Sequence, residues 1–314
     1  MNGPPALRIG NQTAFCAANL MEPFEYALAN GFDAFEWFPD KKPSGAGWDE
    51  TDLAPAMRAD ISQTARSAAV RLSVHARWTI NPLLPDAALA LRREIALAQD
   101  LGARVLVIHL YTEAGIAAYA RAITPAIAWA AASGLQLAIE NTVSTSPADF
   151  NFLFEELRKR DDSALAHCGM CLDIGHANLC TATRNDYLQF VAQLQPHVPI
   201  IHLHAHENWG DADSHLTLFT GPAAFTEDGV RGFLVEMKSR GFNGSLILEQ
   251  WPQPPSLLKD ARNRLLRMWN ECNASAERGH SCPQQESKLN VTGTSSRRAW
   301  AFAHCCGLKV RAPP

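Results

Sequence analysis

The chain has 314 residues, 47% of them hydrophobic and 19% charged, with a formal net charge of -4 and a pI near 6.3. That length suits one large core, and the mild acidic balance gives no support to a general nucleic-acid surface. No uninterrupted apolar run approaches the ~18 residues of a membrane span, and MNGPPALRIG lacks the layout of a secretion signal, so a cytoplasmic protein with no membrane partner is expected.

From Arg8 onward, short β-branched or apolar runs alternate with longer amphipathic segments. In chain order the strand candidates are RIGNQTAF, FDAFEWF, VRLSVH, ARVLVIH, LQLAIE, GMCLDI, PIIHLHA and GSLILEQ. Between them lie helix candidates. The clearest is DAALALRREIALAQDLG, which opens at Asp86 as a cap and closes at Gly102. Others cover residues 52–68, 116–133, 148–160, 186–195, 229–240 and 256–269. Strands that are each followed by a helix point to an α/β fold, a (β/α)8 TIM barrel forming a single domain over residues 6–271. A doubly wound open sheet would need a Gly-rich phosphate loop after its first strand, which the sequence lacks. Residues 272–314 have little periodicity and many small polar residues, so a flexible C-terminal tail is expected there. Two sequons, Asn273-Ala-Ser and Asn290-Val-Thr, are read as chance without a secretion signal.

Cys168 and Cys171 resemble a chelating pair only on paper. Residues three apart on a strand point to opposite faces, so reduced, buried thiols are expected.

Parity along each strand separates an apolar outward face from an inward one. The inward face takes Glu36 on the second strand, with Phe35 and Trp37 outward. On the fifth strand it takes Gln136, Ala138 and Glu140, and on the sixth Gly169, Cys171 and Asp173. The seventh strand sends His202, His204 and His206 inward and Ile201, Leu203 and Ala205 outward; the eighth sends Ile247 and Glu249 inward. The third to eighth strands therefore end inward on His75, His109, Glu140, Asp173, a histidine and Glu249. Asp and Glu number 32 and His 11 in 314 residues, so six such endings of six are not a product of composition. Any one of these groups alone would more often be a cap or an ion-pair partner. Gathered at the C-terminal mouth of a parallel barrel, with no Lys or Arg at those positions, they repel unless a divalent cation binds among them.

The stretches SVHARWTIN, VLVIH, AIENT, CLDIGHANL, HLHAHENWGDADSHL and LILEQW, in this order, resemble the xylose isomerase-like barrel superfamily. That group includes sugar and sugar-phosphate isomerases and epimerases and the endonuclease IV group, also called AP endonuclease family 2. The resemblance implies a metal held by Glu140, Asp173, His204 and Glu249. His204 is preferred because the family ligand stands three residues before an acidic one, here Glu207. His75, His109, His176, Asp213 and His215 match further positions that bind additional metals in the endonuclease group or contact substrate in the sugar enzymes.

Two functions follow from the resemblance. In a sugar or sugar-phosphate isomerase or epimerase, one Mn, Zn, Co or Mg ion activates a small sugar, and Glu140 and Glu249 are catalytic, exchanging a proton through an enediolate. Trp37, Trp78 and Trp251 would wall the sugar, and a homo-oligomer is compatible with this reading. In a zinc phosphodiesterase of the abasic-site endonuclease type, all nine ligands hold three Zn ions and the partner is DNA. VIHLYTEAG lacks the His-Pro-Gly of the nuclease pattern, and HLTLFTGPAAF replaces its Leu-Gly-x-Gly turn, which favours the sugar enzyme.

Overall fold

The computed structural model describes residues 7–42, 44–160 and 162–277. Among them, eight parallel strands close on themselves in sequence order: β1 (Arg8–Gln12), β2 (Ala34–Trp37), β3 (Arg71–His75), β4 (Val105–His109), β5 (Gln136–Glu140), β6 (Cys168–Asp173), β7 (Ile200–Ala205) and β8 (Ser245–Leu248). Each lies in an apolar run picked out from the sequence. The helices around them are α1 (Glu22–Ala29), α2 (Pro55–Ser67), α3 (Ala87–Leu101), α4 (Ile116–Ala132), α5 (Pro147–Arg160), α6 (Ile174–Leu179), α7 (Tyr187–Gln193), α8 (Asp228–Ser239) and α9 (Ser256–Glu277). The architecture is the expected TIM barrel, and no described helix is long and apolar enough to cross a membrane.

Helices α1 and α6 were not legible in the sequence. They have 8 and 6 residues, too few for a helical period to show. Asp86 precedes α3 as expected but its side chain makes no cap bond; Gly102 closes the helix in the left-handed region at φ 71°. Helix α9 runs on past residue 269 to Glu277, through the expected boundary between residues 271 and 272. The rest of the expected tail, with Asn290 and the Cys305-Cys306 pair, lies outside the described residues.

Alternation along the strands builds two separate apolar bodies. Leu72, Val74, Leu106, Ile108, Leu137, Ile139, Leu172 and Leu203 belong to the main core between strands and helices. Val105, Val107, Ala138 and Cys171 form a small plug inside the barrel. Cys168 sits in the first body and Cys171 in the second, so they cannot share an ion, and burial pushes the Cys168 thiol up to about 12.

One residue departs from the expected parity. Alternation puts Ile201 on the outward face, yet it packs on the interior plug. The pairing of β6 with β7 slips between Met170 and Cys171, which pair with Ile200 and His202 and leave Ile201 as the extra residue. Gly169 makes the space, since a Cβ there would lie 2.6 Å from Ile201 Cγ2.

One buried acid lies away from the barrel mouth. Glu94 on α3 is 2% exposed, with Arg77 Nε donating to it at 2.9 Å. Burial outweighs the ion pair and raises the carboxyl from 4.5 to about 7. Between those values the folded state holds a proton that the unfolded state has lost. The group's contribution is therefore complete below pH 4.5 and is lost as pH rises through about 7. At about 1.4 kcal/mol per pKa unit, unfolding free energy should fall by up to about 3 kcal/mol over this window. Urea unfolding at pH 5 and pH 7.5 should show that fall reduced in Glu94→Gln; equal slopes in both proteins would contradict the assignment.

Candidate metal centre

Glu140, the last residue of β5, is 1% exposed and stands at the middle of the rim. Its Oε2 lies 2.7 Å from His75 Nε2 and 3.3 Å from His109 Nε2. Its Oε1 lies 3.3 Å from His204 Nδ1 and 3.4 Å from His176 Nδ1. Glu249, 7% exposed just beyond β8, approaches the same His204 Nδ1 at 3.1 Å. Burial opposes ionisation of Glu140, but His204, His109 and His75 hold its carboxyl well below the usual range. Glu249 goes the other way: burial, reinforced by Asp173 and Glu140, pushes its carboxyl well above the usual range.

A second group adjoins the first. His206 Nε2 lies 3.2 Å from Asp173 Oδ1 and 3.6 Å from Asp213 Oδ1. Asp213 is also 3.3 Å from both His176 Nε2 and His215 Nε2, and these two imidazoles hold its carboxyl below the ordinary range despite burial. The His206 and His215 rings stack at 3.9 Å with 10° between their planes. Gly175 makes that arrangement possible, because a Cβ there would come within 2.0 Å of the His206 ring.

Supporting contacts fix these groups. Glu36, 0% exposed at the end of β2, accepts a hydrogen bond from Ser73 Oγ at 2.8 Å and lies 2.9 Å from His202 Nε2. Its other oxygen is 3.0 Å from His204 Nε2, so His204 turns Nδ1 toward Glu140 and Glu249. Asn141 clamps Asp173 through both backbone groups, at 2.8 and 2.9 Å. The Glu207 carboxylate accepts the Gly221 and Ala223 N–H groups, while its backbone pairs with Leu216. That anchors both ends of the loop carrying Asp213 and His215.

The fit to a cation can be judged from atoms without partners. His75 Nδ1 faces the Ala76 carbonyl at 2.7 Å, and His176 Nδ1 faces the Asn141 carbonyl at 2.8 Å. Donation to those carbonyls leaves each Nε2 with a lone pair, and each Nε2 meets a carboxylate oxygen. Two acceptors in contact need a proton or a cation between them. Asp173 Oδ2, Glu249 Oε2 and both ring nitrogens of His204 and His206 are buried with no hydrogen bond. Buried polar atoms without partners are costly, and metal ligation removes the cost. The side chains fit a divalent metal.

Most of the expected site residues come together, though in a different grouping. Ligand atoms of His75, Glu140, His204 and Glu249 lie within 4.8 Å of one another; so do those of His176, His206, Asp213 and His215, and those of Glu140, Asp173 and His176. The expected quartet Glu140, Asp173, His204 and Glu249 is not one such group among the described residues. Asp173 groups instead with His206 and Glu249. His206 was missed, although strand parity had already turned it inward. Parity turns Glu36 inward, and Ser73 and Asn141 lie within the stretches that carry the resemblance, but the supporting role of all three shows only in their contacts.

Two of the tryptophans are corrected. Trp37 is 0% exposed in the layer between strands and helices, against Phe24, Phe35 and Trp48, so it cannot wall a substrate at the mouth. Trp251, 3% exposed, packs edge-on to Tyr26 in the same core. Trp78 remains, 49% exposed in the segment after β3.

Comparison with known proteins agrees with the fold. A stretch of 82 residues, 26% of the chain, is 38% identical to an uncharacterized protein of Methanocaldococcus jannaschii and spans 25% of that protein's length. A D-tagatose 3-epimerase-like protein superposes with a TM-score of 0.66 at 23% identity, covering 84% of this chain and 99% of that one. An L-ribulose 3-epimerase gives 0.64 at 20% identity, covering 88% and 98%. At these identities the structural likeness shows a shared fold. The family model described as xylose isomerase-like TIM barrel matches residues 24–268. Since that match runs from the first helix of the barrel into the last, the chain belongs to the xylose isomerase-like TIM barrel family.

Proposed function

We propose that the protein is a metal-dependent isomerase or epimerase acting on a small sugar or sugar phosphate. The observation that carries this reading is the placement of two buried carboxylates, Glu140 and Glu249, at 3.3 and 3.1 Å from one imidazole nitrogen of His204. A divalent Mn, Zn, Co or Mg ion held there, with Asp173 and His206 beside it, would polarise a substrate carbonyl and hydroxyl and so acidify the intervening C–H. Glu140, kept ionised by its imidazole neighbours, takes that proton. Glu249 returns one to the enediolate on the other side. His109 and His215, each 19% exposed, are open to sugar hydroxyls, and Trp78 offers an apolar wall. The likeness to a D-tagatose 3-epimerase-like protein and an L-ribulose 3-epimerase supports this substrate class.

A second reading, a zinc phosphodiesterase of the endonuclease IV type acting on DNA, is favoured by the adjoining group of His176, His206, Asp213 and His215. With His75 and His109 it supplies donors for three Zn ions. One assay separates the two. The metal-loaded protein is incubated in D2O with a panel of ketoses and their phosphates, and deuterium uptake is followed by NMR. Exchange at a carbon next to the carbonyl is the expected result. No exchange on any sugar, together with cleavage of a duplex bearing an abasic site, would replace the first reading with the second.

A further inference from the structure

The opposite, N-terminal end of the barrel holds a separate cavity of about 390 Å³. Three arginines line it: Arg8 and Arg71 open β1 and β3, and Arg104 directly precedes β4. Gln136, Ser245 and His202 complete the polar wall. The plug of Val105, Val107, Ala138 and Cys171 fills the barrel interior.

What sets these arginines apart is that all three line one cavity. Arg58, Arg77, Arg231, Arg240 and Arg264 each pair with a carboxylate. Among the described residues, no carboxylate pairs with Arg8, Arg71 or Arg104. Arg71 donates to the Asn243 carbonyl at 3.2 Å, and burial together with the charges of Arg8 and Arg104 disfavours its own charge. Three like charges therefore converge without a counter-charge. A second observation points to the same place. Ser245 and His202, 3% and 1% exposed, both line the cavity, and Ser245 Oγ and His202 Nδ1 are buried without a hydrogen-bond partner. His202 donates its Nε2–H to Glu36 at 2.9 Å, so on the neutral ring Nδ1 is an acceptor left for a hydroxyl of the ligand.

We propose that this basal cavity binds a phosphate group, either the free ion or a small soluble phosphate ester, at a site separate from the metal centre. Guanidinium forks match the paired oxygens of a phosphate, and a dianion relieves the mutual repulsion of the arginines. Neutral donors from Ser245 and Gln136 suit the remaining oxygens. The cavity falls within the ~300–1,000 Å³ of small-molecule sites, which leaves room for a few carbons beyond the phosphate. This inference stands independently of the reaction at the rim.

The test is calorimetric titration of inorganic phosphate into the full, metal-loaded chain at low ionic strength, where charge pairing is least screened. One phosphate per chain is expected, with Arg71→Gln and Arg104→Gln each weakening binding at least tenfold. Arg104 is exposed, so its variant keeps the fold even where Arg71→Gln does not. Wild-type protein stripped with a chelator should bind phosphate as before. Affinity unchanged in Arg104→Gln, or binding abolished by the chelator, would overturn the proposal, the latter by moving the anion to the metal centre. Glycerol 3-phosphate binding more tightly than inorganic phosphate would identify an ester as the ligand, and the reverse would identify the free ion.

Discussion

Replacing either Glu140 or Glu249 by Gln is expected to lower turnover by about 10³-fold or more while leaving the barrel folded. General acid-base catalysis alone contributes ~10²–10⁴-fold, and each substitution also removes a carboxyl oxygen donor from the rim. The two variants should differ in stability. Glu140 approaches His75, His109, His176 and His204, and Gln at that position keeps the shape but loses the charge that these imidazoles face. Glu249 is a carboxylate that burial already disfavours, so in the metal-free protein Glu249→Gln should unfold no earlier than wild type. Steady-state rates and thermal unfolding of the stripped and loaded proteins check both statements. Turnover that survives both substitutions would remove the acid-base assignment.

Substitution of the three inward histidines at the end of β7 should have graded effects on metal affinity. His204→Ala removes a nitrogen lying between Glu140 and Glu249, and a loss of more than about 100-fold is expected, beyond the ~10–100-fold typical of outer positions. His202 bonds Glu36, at 2.9 Å, rather than Glu140 or Glu249, so His202→Ala should fall inside that outer range. His206 stands with Asp173 and Asp213, and His206→Ala should release an ion from the adjoining group while leaving the one at Glu140. Titration with a competing chromophoric chelator reads all three. A larger loss for His202 than for His204 would mean that the layers of β7 are assigned one step out of place.

Period-two alternation made the barrel and its rim legible from sequence, because a strand with one face on the helices and one face inside cannot hide its parity. Glu140 and Asp173 follow from that alone. The same rule failed at Ile201, where the slip between Met170 and Cys171 adds a residue that no local pattern announces. It also makes the assignment of Trp37 to a sugar wall inconsistent with its outward parity, and the structure buries that ring among Phe24, Phe35 and Trp48. His206 is inward by the same parity as His204, and the structure places the two in different groups. Glu36, Ser73 and Asn141 act through partners 37 and 32 residues away, as in Ser73 to Glu36 and Asn141 to Asp173, and contacts of that separation leave no spacing to read.

Elemental analysis of the purified protein, before and after treatment with a chelator, addresses the metal centre most directly. At least one tightly held divalent ion per chain is predicted, lost on chelation together with activity and restored by adding metal back. Protein that is active without any such ion, and indifferent to chelators, would contradict the account.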